Sequence, residues 1–397
     1  LIEVKTHMPD TKTIKRQAKK SIEEKPDIEN FLLVLNESVT SEKRKKIIEV
    51  LETTELNPKI WDKRKIRNLK KSTQNVAQIH KDENLIWHFE RFKDIPVNEN
   101  KEKYIEKLKN AFQNEKLVLF LGAGVSIDSG LLDLSNLTKK ILSNAIQDRD
   151  EEIIEDQLYE YLENQLENYS NITIVRFIKD ILKDDFRKKV KEALYSEYSF
   201  DINQEDLMYE IRKLCTPERN IKGIKAVVTY NFDNLLEMYL NEQNINYNII
   251  KGEDDSPNPD ELSIYHVHGY LPYGEEPSEN NAPLIFSEQE YHEQYKDPYS
   301  WQNLSQLNLL RENTALFIGL SMQDPNLRRL LDISSTKSPK SVHYSILKND
   351  WENENQHLEN VFRSVEESTF KDLGVRIIWT TNHKKKADIL NDLNSTI

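Results

Sequence analysis

Four short stretches of the sequence set small and polar residues directly behind apolar runs. "KLVLFLGAGVSIDSG" (116–130) carries Gly122, Ala123, Gly124 and Ser126, and "VVTYNFDNLLE" (227–237) carries Thr229, Asn231 and Asp233. "YHVHGYLP" (265–272) carries His266 and His268, and "LFIGLSMQDPNLRRLL" (316–331) carries Gly319, Ser321 and Asp324. Glycines at that spacing let a backbone approach a pyrophosphate, whose charge meets the N–H groups at a helix start. Asparagine and aspartate at a strand end can hydrogen-bond a ribose. A histidine there can act as a base or bind a sugar hydroxyl. Each stretch also has a plainer reading: a tight turn without ligand, a helix N-cap at Asn231 or Asp233, or a helix start at Asp324-Pro325. His266 lies deeper in its strand than His268, and for it a structural role is the preferred reading. The first stretch also departs from the dinucleotide fingerprint G-x-G-x-x-G, because Ile127 stands where a small residue belongs.

Residues like these act together only if their strands lie side by side, since ligands of open α/β sheets sit at the carboxyl ends of the strands. The apolar runs predict strands at 225–230, 263–269, 314–320, 341–347 and 374–379, besides the one that feeds Gly122. "KEKYIEKLKNAFQNEK" predicts an amphipathic helix ahead of that first strand. Residues 134–214 carry leucine and isoleucine at three- and four-residue spacing, which predicts a helical insert. The expectation is a doubly wound, Rossmann-like parallel sheet over 101–397, interrupted by helices at about 134–214.

Residues 1–62 alternate differently. A strand at "LIEVKTH" precedes a helix with Ile14, Ala18 and Ile22 on one face, then a strand at Phe31–Asn36. A helix capped by Thr40 or Ser41 follows, and a strand at Pro58–Asp62. This βαβαβ order predicts a smaller α/β domain over 1–92 with a parallel sheet. Residues 63–100 read as a polar connector with a helix or two.

Composition narrows the function classes. Charged residues make up 31% and apolar residues 37% of the 397, which fits a soluble protein with a sizeable core. No apolar run approaches membrane-spanning length. The single cysteine, Cys215, can form neither an internal disulfide nor a zinc site by itself, so a reducing cytoplasm is expected. Residues 1–80 hold 18 lysines and arginines against 12 acids, whereas the remainder holds 37 against 56. Nucleic acid is therefore expected, if anywhere, only on the basic N-terminal part. The chain opens on Leu1 rather than methionine, so it is expected to begin inside a longer product or after processing.

Taken together, the four strand-end clusters GAGxS, TxNxD, HG and GxSxxDPN resemble the sirtuin-like NAD-binding fold. The resemblance is closer still to the sirtuin-like NAD hydrolases of bacterial antiphage defence, and it covers roughly residues 101–380. It implies NAD as substrate, with Asn231 and His268 catalytic and Gly122, Ala123, Gly124, Ser126, Thr229, Asp233, Gly319, Ser321 and Asp324 binding. Sirtuin deacylases carry four zinc-binding cysteines and a Pro-Asp-Phe-Arg segment after the glycine motif. Here Leu131, Leu132, Asp133 and Leu134 follow Gly130, and no zinc is expected. The resemblance also implies control by assembly, with a homo-oligomer or a HerA-type ATPase as partner, and cell suicide by NAD depletion. The N-terminal part resembles the back half of a restriction-endonuclease-like fold, with Glu3 and Lys5 as its acid-x-Lys pair. A scaffold or oligomerisation role is the preferred reading of that part. The competing reading is an NAD or ADP-ribose sensor attached to a Mg²⁺-dependent nuclease.

Overall fold

The computed structural model describes residues 2–5, 11–24, 30–35, 39, 41–54, 57–62, 101–127, 129–147, 169–198, 207–216, 223–274, 284–337, 342–348, 356–380 and 383–394. The chain divides into two compact units, Leu1–Asp94 and Ile95–Ile397.

In the N-terminal unit β1 (Ile2–Lys5), β2 (Asn30–Leu35) and β3 (Asn57–Trp61) form a parallel sheet in that order, with helices Thr11–Glu24 and Ser41–Glu52 between them. The apolar face foreseen on the first helix packs here. Ile14 and Ala18 are buried with Phe31, Leu33, Leu35, Ile47, Leu51 and Ile60. Asp62 fastens the end of β3. Its Oδ2 accepts the Val39 N–H at 3.1 Å and meets Arg44 Nη2 at 3.1 Å. Glu3 and Lys5 lie on β1, opposite Leu33 and Leu35 of β2. The expected connector, 63–100, lies outside the described residues.

The C-terminal unit is built on seven parallel strands: β4 (Leu117–Leu121), β5 (Ile224–Thr229), β6 (Tyr247–Ile250), β7 (Leu262–His266), β8 (Thr314–Ile318), β9 (His343–Lys348) and β10 (Val375–Thr380). Their order across the sheet is β10-β9-β8-β4-β5-β7-β6. Every residue of β4 is buried. Leu117, Leu119 and Leu121 enter one core cluster, and Val118 and Phe120 enter another. A strand covered on both faces reads as a continuous apolar run rather than an alternating one. The chain enters the sheet at its middle, winds outward through β5, and returns to β8 on the other side of β4. Carboxyl ends of β5, β4 and β8 therefore meet where the winding reverses, the place that opens a ligand crevice in such sheets.

Helices Leu134–Gln147, Asn171–Leu182, Phe186–Leu194 and Leu207–Cys215 lie in the stretch expected to be helical. They bury Ile141, Val175, Ile178, Val190 and Leu214 in the same cluster as Leu119. Two details differ from the sequence reading. Strand β6 was not foreseen. "YNII" neither alternates nor runs fully apolar, and only Ile250 in it is buried, as suits a sheet edge. The strand expected at 263–269 stops at His266, which leaves His268 in the turn beyond. Among the described residues no helix is long and apolar enough to cross a membrane.

Candidate active site

The loop after β4 packs on the loop after β8, backbone against backbone. Gly122 N–H donates to Ile318 O at 3.0 Å and Gly124 N–H to Gly319 O at 2.9 Å. A Cβ on Gly124 would stand 2.8 Å from Gly319 Cα, and one on Gly319 would stand 2.6 Å from Val125 N. Gly319 also has φ +70°, in the left-handed region that favours glycine. These glycines are thus required for loop-to-loop contact. Ala123 stands between Gly122 and Gly124, and all three residues line the cavity described below.

Ser126 ties this loop to the one after β5. Its hydroxyl donates to Asp233 Oδ2 at 3.0 Å and accepts from Asn231 Nδ2 at 3.0 Å. Asn231 Nδ2 also donates to Gly122 O at 3.2 Å. A carbonyl only accepts, so the amide nitrogen must face it, and the Asn231 side-chain oxygen is left for another donor. Asp233 Oδ1 accepts Leu235 N–H at 3.1 Å. Burial pushes the Asp233 carboxyl up to about 6, against the pull of the Leu235 and Ser126 hydrogen bonds. Thr229 does not line the main cavity. Its hydroxyl accepts the Asn231 N–H at 3.1 Å, so it shapes the turn that carries Asn231.

The two histidines of "YHVHG" have different surroundings. His266 is buried and its Nε2 lies 2.5 Å from Glu237 Oε1, in line with the structural reading. His268 is packed edge-on between Tyr230, at 4.5 Å between ring centres, and Tyr291, at 5.8 Å. Its carbonyl accepts Ile285 N–H at 2.7 Å. Burial lowers the imidazole from its ordinary value, opposed by Asp324, whose Oδ2 lies 3.7 Å from Nε2. A histidine biased toward its neutral form is prepared to accept a proton.

A cavity of about 980 Å³ joins these groups, at the upper end of the usual range for small-molecule sites. Gly122, Ala123, Gly124, Ser126, Asn231, Asp233, His268, Gly319, Ser321 and Asp324 all line it. The structure therefore brings together every residue singled out from the sequence except Thr229. It adds Tyr230, Phe286, Tyr291, Trp379 and Lys386, none of which was foreseen. Tyr230 sits inside the quoted "VVTYNFDN" and Trp379 ends a predicted strand, so position could have found those two. Tyr291 and Phe286 carry no such signal. Among the described residues no group of three or more histidines, cysteines and acids could hold a metal ion. Cys215 is buried, and its thiol is pushed up to about 12, chiefly by desolvation and further by Glu237, which makes it a poor nucleophile.

A doubly wound, Rossmann-like parallel sheet with a cavity at its switch point is the class that fold and site define. Comparison with known proteins agrees: residues 225–378 match the SIR2-like domain family. The chain is 27% identical over 318 residues to NAD(+) hydrolase ThsA of Bacillus cereus (strain MSX-D12), across 76% of this chain and 59% of that protein. It thus aligns with less than two thirds of the length of that relative.

Proposed function

We propose that the chain hydrolyses NAD to nicotinamide and ADP-ribose in bacterial antiphage defence. The observation that carries this reading is that Asn231 and His268 line one cavity with the Gly122–Ser126 loop. The cavity has room for a dinucleotide, and the similar protein from Bacillus cereus is named an NAD(+) hydrolase.

The bond from ribose C1′ to the nicotinamide nitrogen breaks through an oxocarbenium-like state, as in glycoside hydrolysis. Its electron pair leaves with nicotinamide, which departs neutral, so no strong general acid is required. Asp233 supplies negative charge in a low-dielectric wall, where it favours the developing cation. The free side-chain oxygen of Asn231 accepts from the attacking water or a ribose hydroxyl. Water oxygen bonds to C1′, and His268 takes the proton that water loses and passes it to solvent. NAD and water give ADP-ribose, nicotinamide and one proton. Assembly into a homo-oligomer, or engagement by a HerA-type ATPase, is the proposed trigger that keeps such an activity silent otherwise.

The test follows NAD, nicotinamide and ADP-ribose with purified protein over a range of concentrations, with and without such an ATPase. His268→Ala is expected to lose at least about a hundredfold in turnover, the usual weight of a general base, with some loss of stability from removing a buried ring packed between Tyr230 and Tyr291. Asn231→Ala should lose activity too, with some loss of stability, since Asn231 also holds the Gly122 and Ser126 loop. Wild-type turnover in both variants would overturn the site. Binding of NAD without consumption in every arm would identify a sensing module instead.

A further inference from the structure

The hydrolysis as described gives no part to Tyr291 or Asp324, although both stand beside His268. Both oxygens of Asp324 already serve protein groups. Oδ1 accepts Leu327 N–H at 2.7 Å and so caps the helix Pro325–Lys337. Oδ2 accepts the Tyr291 hydroxyl at 2.7 Å, and the same oxygen lies 3.7 Å from His268 Nε2. Tyr291 remains a donor, because burial and the neighbouring Asp324 raise its phenol far above the ordinary value. One oxygen thus faces two donors: the tyrosine is within hydrogen-bond length, and the histidine is a fraction of an ångström beyond it.

We propose that Asp324 is the positioning residue of His268, holding its proton on Nε2 so that Nδ1 is the nitrogen left to act as base. Tyr291 sets how strongly Asp324 acts by occupying the same oxygen. The proposal rests on reading His268 as the base of the hydrolysis. When Nδ1 takes a proton from water, the imidazolium attracts the carboxylate more strongly and the long contact shortens. Among the described residues, the titratable side chains facing His268 are Tyr230 from the β5 loop, Tyr291 from helix Glu288–Lys296, and Asp324. Tyr295 approaches Asp324 from the same helix, with the Arg329 guanidinium 5.6 Å from its ring.

The experiment reads His268 directly by NMR of histidine-labelled full-length protein, its signal assigned by absence from His268→Gln. At neutral pH the expected tautomer is Nε2–H in wild type, with Nδ1–H appearing in Asp324→Asn. Asparagine keeps an acceptor for the Leu327 N–H, and its amide N–H can donate to the Tyr291 hydroxyl oxygen, so this variant is expected to fold. The His268 titration midpoint should fall by about one pH unit in Asp324→Asn, the size expected for loss of one adjacent charge. It should rise by a comparable amount in Tyr291→Phe, and the double variant should behave as Asp324→Asn alone. A wild-type Nδ1–H tautomer, single variants that shift together, or a Tyr291 effect that persists without Asp324 would overturn the proposal. The acid limb of kcat/KM for NAD should move with the midpoint in each variant. If titrations and tautomers behave as stated while no form consumes NAD, the pairing stands and the hydrolase reading falls. If NAD is consumed and His268→Ala stops it, while Asp324→Asn leaves the tautomer unchanged, the pairing alone falls.

Discussion

Asn231 and His268 follow neighbouring strands, β5 and β7, into one cavity, yet their surroundings are opposites. Around Asn231 the hydrogen bonds close on one another. Ser126 bridges Asn231 to Asp233, Asn231 reaches Gly122, and Leu235 N–H reaches Asp233. Around His268 they do not close, since one oxygen of Asp324 faces both Tyr291 and the imidazole. A closed buried network fixes a shape and resists change. An open one leaves a group whose partner and protonation can alter during a reaction. On the proposed reading, the first half of the cavity holds and the second exchanges a proton.

The largest expected effect breaks the holding half. Gly319→Ala puts a Cβ 2.6 Å from Val125 N at φ +70°. The backbone cost and the overpacking together come to roughly 2–5 kcal/mol, readable as a shift of the urea midpoint. Gly130 provides the control. It has φ +88° but nothing within 4 Å of a Cβ, so Gly130→Ala should cost only the conformational part, about 1–2 kcal/mol. Equal losses at the two sites would mean that loop-to-loop contact does not support the site.

Next comes a dependence on pH that sharpens the contrast. Asp233, inside the closed network, is pushed from 3.8 to about 6 by burial. A carboxyl raised on folding favours the folded state most below its unfolded value, and that contribution is lost as pH rises through the folded value. Relative to Asp233→Asn, wild type should therefore lose stability between pH 3.8 and about 6, by roughly 1.4 kcal/mol per pH unit, and then run parallel above. His343 acts oppositely and is common to both proteins. It is buried at the start of β9, accepts Ala315 N–H at Nδ1 and is lowered to about 4, so its contribution is lost as pH falls below 6.5. Because it cancels in the comparison, a difference curve that is flat from pH 4 to 6 would remove Asp233 as the source.

The sheet was legible because buried parallel strands announce themselves as apolar runs, and "LVLFL" and "TALFI" are nothing else. Asn231, His268 and Asp324 were legible because strand ends converge wherever such a sheet forms. Roles were less so. Gly122 and Gly124 look like phosphate-loop glycines, and only the position of Gly319, far along the chain, shows what their missing Cβ atoms make room for. Thr229, the last residue of β5, spends its hydroxyl on the Asn231 N–H, which its type alone does not foretell. Tyr291 lies on a helix whose sequence "EQEYHEQYK" has a weak apolar face, and nothing local says that its hydroxyl meets an aspartate 33 positions away. Helix packing decides that, and packing is not written in one segment.

Tyr230 joins the two halves, and its substitution should have the smallest effect. It neighbours Asn231 in the chain, its ring meets His268 in the cavity wall, and its hydroxyl donates to Gln306. Burial keeps the phenol protonated far beyond the ordinary range, so it serves Gln306 as a donor at every working pH. Tyr230→Phe keeps the ring against His268 and removes only that donor. The expected cost is about 1 kcal/mol of stability, one net hydrogen bond, with turnover of NAD within about threefold of wild type, since a group that touches neither substrate nor proton should leave the transition state alone. A loss of tenfold or more at unchanged KM would show that the Gln306 bond governs the placement of His268. The holding and exchanging halves would then be one coupled network reaching into helix Trp301–Glu312, and the contrast between them would have to be redrawn around Tyr230.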